Sequence, residues 1–186
     1  SGRKRKEFFH EEIRRTAKQL YNHPSVVYYT IFNEGWGEFD TGKAYEILKE
    51  VDGTRIVDTC SGWFAPEKSD VDSEHIYFRT EKLTAGEKPL VLSEFGGYTR
   101  EIKGHTFSRF ASYGYGGAES EEKLTDMIEA AYRDMVIASI PDGLCGSVYT
   151  QISDVEDEIN GLMTYDRKVV KVDAERMRKI SRRIEG

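Results

Sequence analysis

Two apolar, β-rich runs, each leading directly to a glutamate, constrain the fold of this chain most strongly. One run covers 26–32 and is followed by Asn33-Glu34, and the other covers 89–93 and is followed by Glu94. Apolar residues at nearly every position are typical of strands that are covered on both faces, as in parallel sheets. Because the carboxyl ends of parallel strands meet at one edge, we expect both carboxylates to project from the same rim.

The remaining pattern alternates helices with strands, which predicts βαβ units and an α/β fold with a parallel sheet. Pro24 ends the first helix and Ser120 is a good N-cap for the third. The predicted helices are 4–21, 41–51, 121–139 and 173–184; the predicted strands are 26–32, 55–60, 75–78, 90–95 and 146–152; long loops are predicted at 98–119 and 153–168. With 186 residues, the chain is expected to form a single domain, 1–186, and is shorter than the roughly 250 residues of a complete (β/α)₈ barrel.

Composition excludes several classes of function. A net charge of −6 argues against nucleic-acid binding, since phosphate contacts need a basic face. No run of 18 apolar residues predicts a membrane span, and the amino terminus lacks the apolar segment of a signal peptide. Localisation stays open between the cytoplasm and the periplasm or secretion. Cys60 and Cys145 are interpreted as buried reduced thiols, with a disulfide between them as the alternative.

The chemistry-bearing residues follow the strand ends. A single glutamate at a strand end needs no catalytic role, because its negative charge stabilises the positive amino end of the next helix. Asn33-Glu34, His75-Ile76-Tyr77 and Glu94 together form a set that helix electrostatics does not explain, and two carboxyls flanking one bond are what glycoside hydrolysis needs.

Aromatic residues near the strand ends are candidate platforms for the apolar faces of sugars, with core packing as the alternative. These are Trp36, Trp63, Phe64 and Tyr149. No zinc, phosphate-loop or serine and cysteine nucleophile spacing is present, and the acidic run 154–158 is interpreted as a solvated loop rather than a calcium site. We therefore expect neither a metal nor a cofactor.

The motifs resemble those of glycoside hydrolase family 2, the β-galactosidase and β-glucuronidase type enzymes. The segment HPSVVYYTIFNEGWGE, which contains Asn33-Glu34, is similar to the acid/base motif on the fourth barrel strand. LSEFGG, which contains Glu94, is similar to the nucleophile motif on the seventh, and His75-Ile76-Tyr77 matches a motif of the wider clan on the sixth. The resemblance implies a partial (β/α)₈ TIM barrel, with parallel strands corresponding to strands 4 to 8.

The resemblance also implies roles for the residues. Glu34 would be the general acid/base, carrying a proton near neutral pH, and Glu94 the nucleophile of a retaining hydrolysis of β-galactosides or β-glucuronides. Asn33 would bind the sugar 2-hydroxyl and Tyr77 would donate to Glu94. Trp63, His75 and Tyr149 would complete the substrate-binding set. The carboxyls of a retaining pair stand about 5–5.5 Å apart.

Two departures from the family pattern matter. Tyr149-Thr150-Gln151 stands where the family usually has a tryptophan after the eighth strand. The first three strands are missing from the sequence, so the isolated chain is expected to hydrolyse poorly or not at all. Exposed edges of the fourth and eighth strands are expected to promote self-association as a homo-oligomer. The alternatives are a non-catalytic carbohydrate-binding or assembly half-barrel, and an endo-acting glycosidase of the same clan.

Overall fold

The computed structural model describes residues 2–35, 37–108 and 112–185. The α-helices are α1 (Gly2–Leu20), α2 (Thr41–Val51), α3 (Glu121–Ala131) and α4 (Ala174–Glu185). The strands are β1 (Tyr28–Phe32), β2 (Ile56–Cys60), β3 (Asp72–Ile76), β4 (Leu90–Gly96), β5 (Tyr98–Thr99), β6 (Gly116–Gly117) and β7 (Leu144–Thr150). After α3 the chain continues as a π-helical stretch, Tyr132–Ile137, and a 3₁₀ turn, Ile140–Asp142.

Contacts between residues group the chain into two compact units. The first unit consists of Ser1–Glu74 with Gly86–Val91, and the second of His75–Ala85 with Leu92–Gly186. Strands β3 and β4 carry the chain from one unit to the other. The prediction that 1–186 acts as a single domain stays a prediction.

The first unit is built on the parallel pair of β1 and β2, in which Tyr28 lies opposite Ile56 and Phe32 opposite Cys60. Helix α2 connects the two strands, and its apolar face packs with α1 against them. The core consists of Ile13, Tyr29, Phe32, Ala44, Ile47, Leu48, Val57 and Cys60. Apolar helix positions three and four residues apart therefore meet strands whose side chains are mostly buried, as the sequence predicts.

A buried carboxylate, that of Asp52, lies at the carboxyl end of α2. Asp52 is fully buried and accepts hydrogen bonds from the Thr54 hydroxyl at 2.6 Å and from the Arg55 guanidinium. Burial acts to raise the pKa of this carboxyl, but the bonds from Thr54 and Arg55 together outweigh it and hold the pKa below its usual range. Arg55 also donates to the carbonyl of Tyr21 at 2.8 Å, so it links the end of α1 to the start of β2.

The second unit contains β7 and most of β4, in a sheet whose strand order is β3-β4-β7. Helix α3 is capped by the Ser120 hydroxyl, which accepts from the Lys123 amide at 3.1 Å, and this confirms the predicted N-cap. Its buried Leu124 and Ile128 form a core cluster with Val172. The short strands β5 and β6 pair in parallel inside the segment that the sequence predicts as a loop.

A buried ion pair fixes the loop after β7. The Lys171 ammonium is fully buried and donates to Asp154 Oδ1 at 2.7 Å, to the Ile159 carbonyl at 2.8 Å and to the Arg100 carbonyl at 3.0 Å. Three acceptors satisfy its three protons. Burial lowers the pKa of Lys171, and the Asp154 carboxylate opposes that shift. Asp154 therefore does not belong to a solvated acidic loop, and that part of the prediction is wrong.

Several predicted boundaries shift. The third strand begins at Asp72 rather than His75 and ends at Ile76, because pairing already starts where the Asp72 amide donates to the Pro89 carbonyl at 2.9 Å. The last strand begins at Leu144 rather than Gly146, directly after the turn at Gly143. The predicted helix 121–139 changes to π-helical geometry at Tyr132.

The two cysteines differ in their surroundings. Cys60 and Cys145 are both reduced rather than joined in a disulfide, and Cys60 is buried as predicted. Burial, together with the carboxylates of Glu38 and Asp58, raises the pKa of Cys60 to about 12. Cys145 is exposed, so the prediction of a buried thiol is wrong there. It follows the buried Leu144 on β7, and successive side chains of a strand lie on opposite faces.

Two further sequence predictions concern membrane-spanning helices and the edges of strands. Within residues 2–35, 37–108 and 112–185, no helix combines the length and the apolar character that a membrane span requires. In the same described part of the chain, β1 pairs with β2 and β7 pairs with β4. Self-association through strand edges stays a prediction.

Removing one partner of the buried ion pair is expected to destabilise the protein strongly. Lys171→Met leaves the Asp154 carboxylate buried without its counter-charge, which costs about 3–5 kcal/mol in the free energy of unfolding, measured by urea denaturation. The matched control is Lys168→Met, since the exposed Lys168 ammonium lies 3.8 Å from Asp166 and such pairs contribute about 1 kcal/mol or less. Equal losses for both variants would contradict the role of the buried pair.

Candidate functional site

In the second unit, Glu94 lies near the carboxyl end of β4 and is held by a phenol from the segment after β3. The Tyr77 hydroxyl donates to Glu94 Oε2 at 2.5 Å and lies 3.1 Å from the Thr150 hydroxyl. The ring nitrogen His75 Nδ1 is 3.4 Å from the same carboxylate oxygen. The predicted residues His75, Tyr77 and Glu94 are therefore brought together.

The environment of Tyr77 makes it a permanent donor. The residue is buried, and burial together with the hydrogen bond to the Glu94 carboxylate raises the pKa of its phenol well above the usual range. The hydroxyl proton is therefore retained as the pH rises through about 10, where exposed tyrosines ionise. A short bond from a neutral hydroxyl to a carboxylate belongs to the strong class of hydrogen bonds and fixes the orientation of the carboxyl group.

Glu94 keeps some contact with solvent. Its side chain is 29% exposed, whereas the imidazole of His75 is fully buried. One face of the carboxylate is thus committed to the protein, while the group remains accessible to a small molecule. This combination suits a reacting group better than a purely structural one.

A glycine pair after Glu94 lets aromatic rings approach the backbone. Gly97 has φ +65°, and a Cβ there would stand 2.4 Å from the Tyr115 ring and 3.1 Å from the Tyr77 ring. Only glycine combines this backbone conformation with such close packing. The Gly97 amide donates to the Thr150 carbonyl at 2.9 Å, which connects the end of β4 to the end of β7.

Tyr149 uses its ring for packing. It makes an edge contact with Phe95, with ring centroids 5.5 Å apart, and stacks on Tyr132 at 6.1 Å. Burial raises the pKa of its phenol above the usual range. The next peptide bond, Thr150–Gln151, is cis. The predicted contact between Tyr149 and a sugar stays a prediction.

In the first unit, Asn33 and Glu34 follow β1 as predicted. The Ser61 hydroxyl donates to Asn33 Oδ1 at 3.2 Å, and the Ser61 amide donates to the Phe32 carbonyl at 2.9 Å, so the ends of β1 and β2 are tied together. Glu34 is half-buried. It borders an open cleft of about 460 Å³, lined also by Phe9, Ile31, Phe32, Asn33, Gly37, Glu38 and Phe39.

The candidate platforms of the first unit are only partly described. Trp63 is 49% exposed and Phe64 is 57% exposed, both in the loop after β2. The Phe64 ring packs over Gly35, whose φ of +59° and closeness to that ring exclude a side chain. Phe64 therefore covers the backbone beside Glu34. Trp36 lies outside the described residues.

A sequence comparison identifies the family to which these motifs belong. The sequence model of the glycosyl hydrolases family 2, TIM barrel domain, matches residues 3–184. The chain belongs to this family.

Solved structures support the fold of this family 2 chain. The β-D-glucuronidase of Dictyoglomus thermophilum aligns with 95% of the chain at a TM-score of 0.66 and 19% identity, and 35% of its own length is covered. A calcium-binding mutant of Bacteroides uniformis β-glucuronidase 2 aligns with 86% at a TM-score of 0.62 and 16% identity, with 23% of its length covered. The same B. uniformis enzyme, covalently bound to cyclophellitol-6-carboxylate aziridine, aligns with 85% at a TM-score of 0.54, 16% identity and 24% of its length.

These comparisons confirm the predicted fold class, a partial (β/α)₈ TIM barrel. The family 2 chain spans about a third of the length of the first of these structures and about a quarter of the other two. A comparison with curated proteins gives no match.

Several residues that contact the predicted residues in each unit are not themselves predicted from the sequence. Ser61, Thr150 and Tyr115 contact predicted site residues, and Gln151 donates to Glu158 at 2.9 Å and to Asn160 at 2.8 Å. Ser61, Thr150 and Gln151 stand at the predicted strand ends, a position that could have singled them out. Tyr115 carries no such signal, because it lies within the long loop.

The raised pKa of Tyr77 gives a direct test of the site. Because burial and the Glu94 carboxylate disfavour the phenolate, Tyr77 stays protonated as the pH rises through about 10, where solvent-exposed tyrosines ionise. With ¹³Cζ-labelled tyrosine, the NMR signal that is lost in Tyr77→Phe is expected to keep its chemical shift while exposed tyrosines titrate. A signal of Tyr77 that titrates with the exposed tyrosines would contradict the contact with Glu94.

Proposed function

We propose that the protein is a retaining β-glycosidase in which Glu94 is the nucleophile and Glu34 the general acid/base. The observation that carries this proposal is the 2.5 Å hydrogen bond from Tyr77 to Glu94 at the end of β4. Family 2 membership supports the reaction class. The activity is assigned to the full-length protein that contains this chain.

The contacts of Glu94 suit a nucleophile. Attack on the anomeric carbon requires an ionised carboxylate in a fixed orientation, and a neutral phenol that donates to one oxygen provides that orientation. The covalent bond then forms between the carboxylate and the anomeric carbon as the bond to the leaving oxygen breaks. In the second step water attacks the same carbon, and the Tyr77 hydroxyl stabilises the negative charge that returns to Glu94.

Glu34 is proposed as the partner that moves the proton. It follows a buried strand, is half-buried, and borders an open cleft, so a substrate oxygen can reach it. As an acid it protonates the leaving oxygen, and as a base it takes a proton from the incoming water. A retaining reaction needs the carboxyls of Glu34 and Glu94 about 5–5.5 Å apart. Asn33 beside it is proposed to bind the 2-hydroxyl of the sugar.

The proposed substrates are β-galactosides or β-glucuronides. Three structures with the same fold are of β-glucuronidases, which favours the second class. Trp63 and Tyr149 are proposed to contact the sugar rings, and His75 to support the Glu94 side of the site. A panel of aryl β-glycosides with different sugars identifies the preferred one.

The leaving group distinguishes the two carboxyls. Glu34→Ala is expected to lower kcat/KM by about 10²–10⁴-fold for an alkyl β-glycoside, whose leaving oxygen needs a proton. It should change the value little for a dinitrophenyl glycoside, which leaves as a stable anion. Glu94→Ala is expected to lower kcat/KM by about 10⁴-fold or more for both substrates, because no covalent intermediate forms. The control Glu87→Gln removes an exposed carboxylate from the turn before β4 and should have no effect.

Azide rescue assigns the roles independently. In Glu94→Ala, azide occupies the space of the lost carboxylate and attacks the anomeric carbon directly, so the glycosyl azide has inverted configuration. In Glu34→Ala, azide attacks the glycosyl-enzyme, and the product retains its configuration. The anomer is read from the proton NMR coupling constant. The same anomer from both variants, or no rescue of either, would refute the assignment.

A further inference from the structure

Three aromatic side chains form a continuous surface next to Tyr77 in the second unit. Tyr115 stacks on Tyr77, with ring centroids 3.9 Å apart and an angle of 11° between the planes. Phe78 and Tyr113 each meet the Tyr115 ring edge-on, at 5.2 Å and 5.5 Å. We call Phe78, Tyr113 and Tyr115 the aromatic platform.

The platform is unusually exposed for its composition. Phe78 is 80% exposed and Tyr113 is 52% exposed. A single exposed aromatic residue needs no explanation, but contiguous exposed rings mark a surface that binds something. The three rings come from two separate segments, the end of the β3 region and the loop before β6, which meet at this point.

The backbone holds the platform in place before any ligand binds. The Tyr113 amide donates to the Asp157 carbonyl at 2.7 Å, and the Ile159 amide donates to the Tyr113 carbonyl at 3.1 Å. The Tyr115 amide donates to the Gly97 carbonyl at 2.9 Å. Since Lys171 fixes the loop that contains Ile159, Tyr113 is anchored to a rigid support. Preorganised rings lose little conformational freedom when a ligand binds.

The position of the platform indicates its ligand. Tyr77 joins the platform to Glu94, since its ring stacks on Tyr115 and its hydroxyl bonds the carboxylate. Tyr77 thus contacts both the carboxylate proposed to attack the anomeric carbon and the central ring of the platform, which places Tyr115 one side chain away from Glu94. Pyranose rings present apolar C–H faces, which pack on aromatic rings, while their hydroxyls stay in water.

We propose that the aromatic platform binds the leaving-group sugar of an oligosaccharide substrate, the unit that follows the hydrolysed bond. This inference rests on the proposed function, because it takes Glu94 as the point of attack. It makes the protein selective for disaccharides and longer β-glycosides over simple alkyl glycosides.

Kinetics on two matched substrates test the platform in the full-length protein. The pair is lactose and methyl β-D-galactoside, or a β-glucuronosyl disaccharide and methyl β-D-glucuronide, according to the sugar that the aryl panel identifies. Phe78→Ala and Tyr113→Ala are each expected to lower kcat/KM about 3- to 10-fold for the disaccharide and to leave the methyl glycoside unchanged. The matched control is Phe107→Ala, since Phe107 is 56% exposed in the same loop and packs on Tyr165 instead.

Binding separates this inference from the proposed function. Dissociation constants of the same two sugars are measured by calorimetry on Glu94→Gln, with and without Phe78→Ala or Tyr113→Ala. If the unsubstituted protein shows no turnover, the same constants are also measured on it. A dissociation constant for the disaccharide that is 3- to 10-fold higher in the platform variants supports the proposal even if hydrolysis is absent. Equal effects on both sugars, or no effect, overturn it. A change in molar mass in solution without a change in sugar affinity assigns the surface to a protein contact and also overturns it.

Discussion

A buried phenol whose hydroxyl lies between Glu94 and Thr150 joins three neighbouring strands at one point. Tyr77 follows β3, Glu94 lies on β4 and Thr150 ends β7, which is the order of these strands in the sheet. The contact is thus a direct consequence of strand order, since side chains at the ends of adjacent strands converge. Because burial and the Glu94 carboxylate raise the pKa of the phenol, its hydroxyl remains a donor in the pH range in which exposed tyrosines ionise.

The residues around this contact hold Tyr77 and the ends of β4 and β7 in position. Gly97 lets the rings of Tyr77 and Tyr115 pack against the backbone, and its amide bonds the end of β7. The loop after β7 is fixed in turn by Lys171, whose three hydrogen bonds replace the water it loses on burial. Such a buried charge is a poor source of stability compared with apolar packing. Its hydrogen bonds connect Asp154 and Ile159 of this loop to Arg100 through one ammonium group. Tyr113 of the aromatic platform is hydrogen-bonded to that loop at Asp157 and Ile159.

The sequence predicts the framework well and the supporting contacts poorly. Continuous apolar runs define β1 and β4, so the positions of Glu34 and Glu94 at the ends of strands follow from local pattern. The start of β3 does not, because Asp72 and Ser73 are polar and enter the strand through pairing with a distant segment. The Lys171–Asp154 pair and the stacking of Tyr115 on Tyr77 link residues 17 and 38 positions apart, and no periodicity announces such contacts.

Trapping the covalent intermediate tests the assignment of Glu94 most directly. The reagent is a 2-deoxy-2-fluoro β-glycoside of the preferred sugar with dinitrophenolate as leaving group. Fluorine slows both steps because it destabilises the positive charge at the anomeric carbon. The good leaving group keeps the first step fast enough for the covalent intermediate to accumulate. Peptide mass spectrometry of the full-length protein is then expected to find the fluorosugar on Glu94. A label on another carboxylate, or turnover to the inverted sugar with no label at all, would contradict the account.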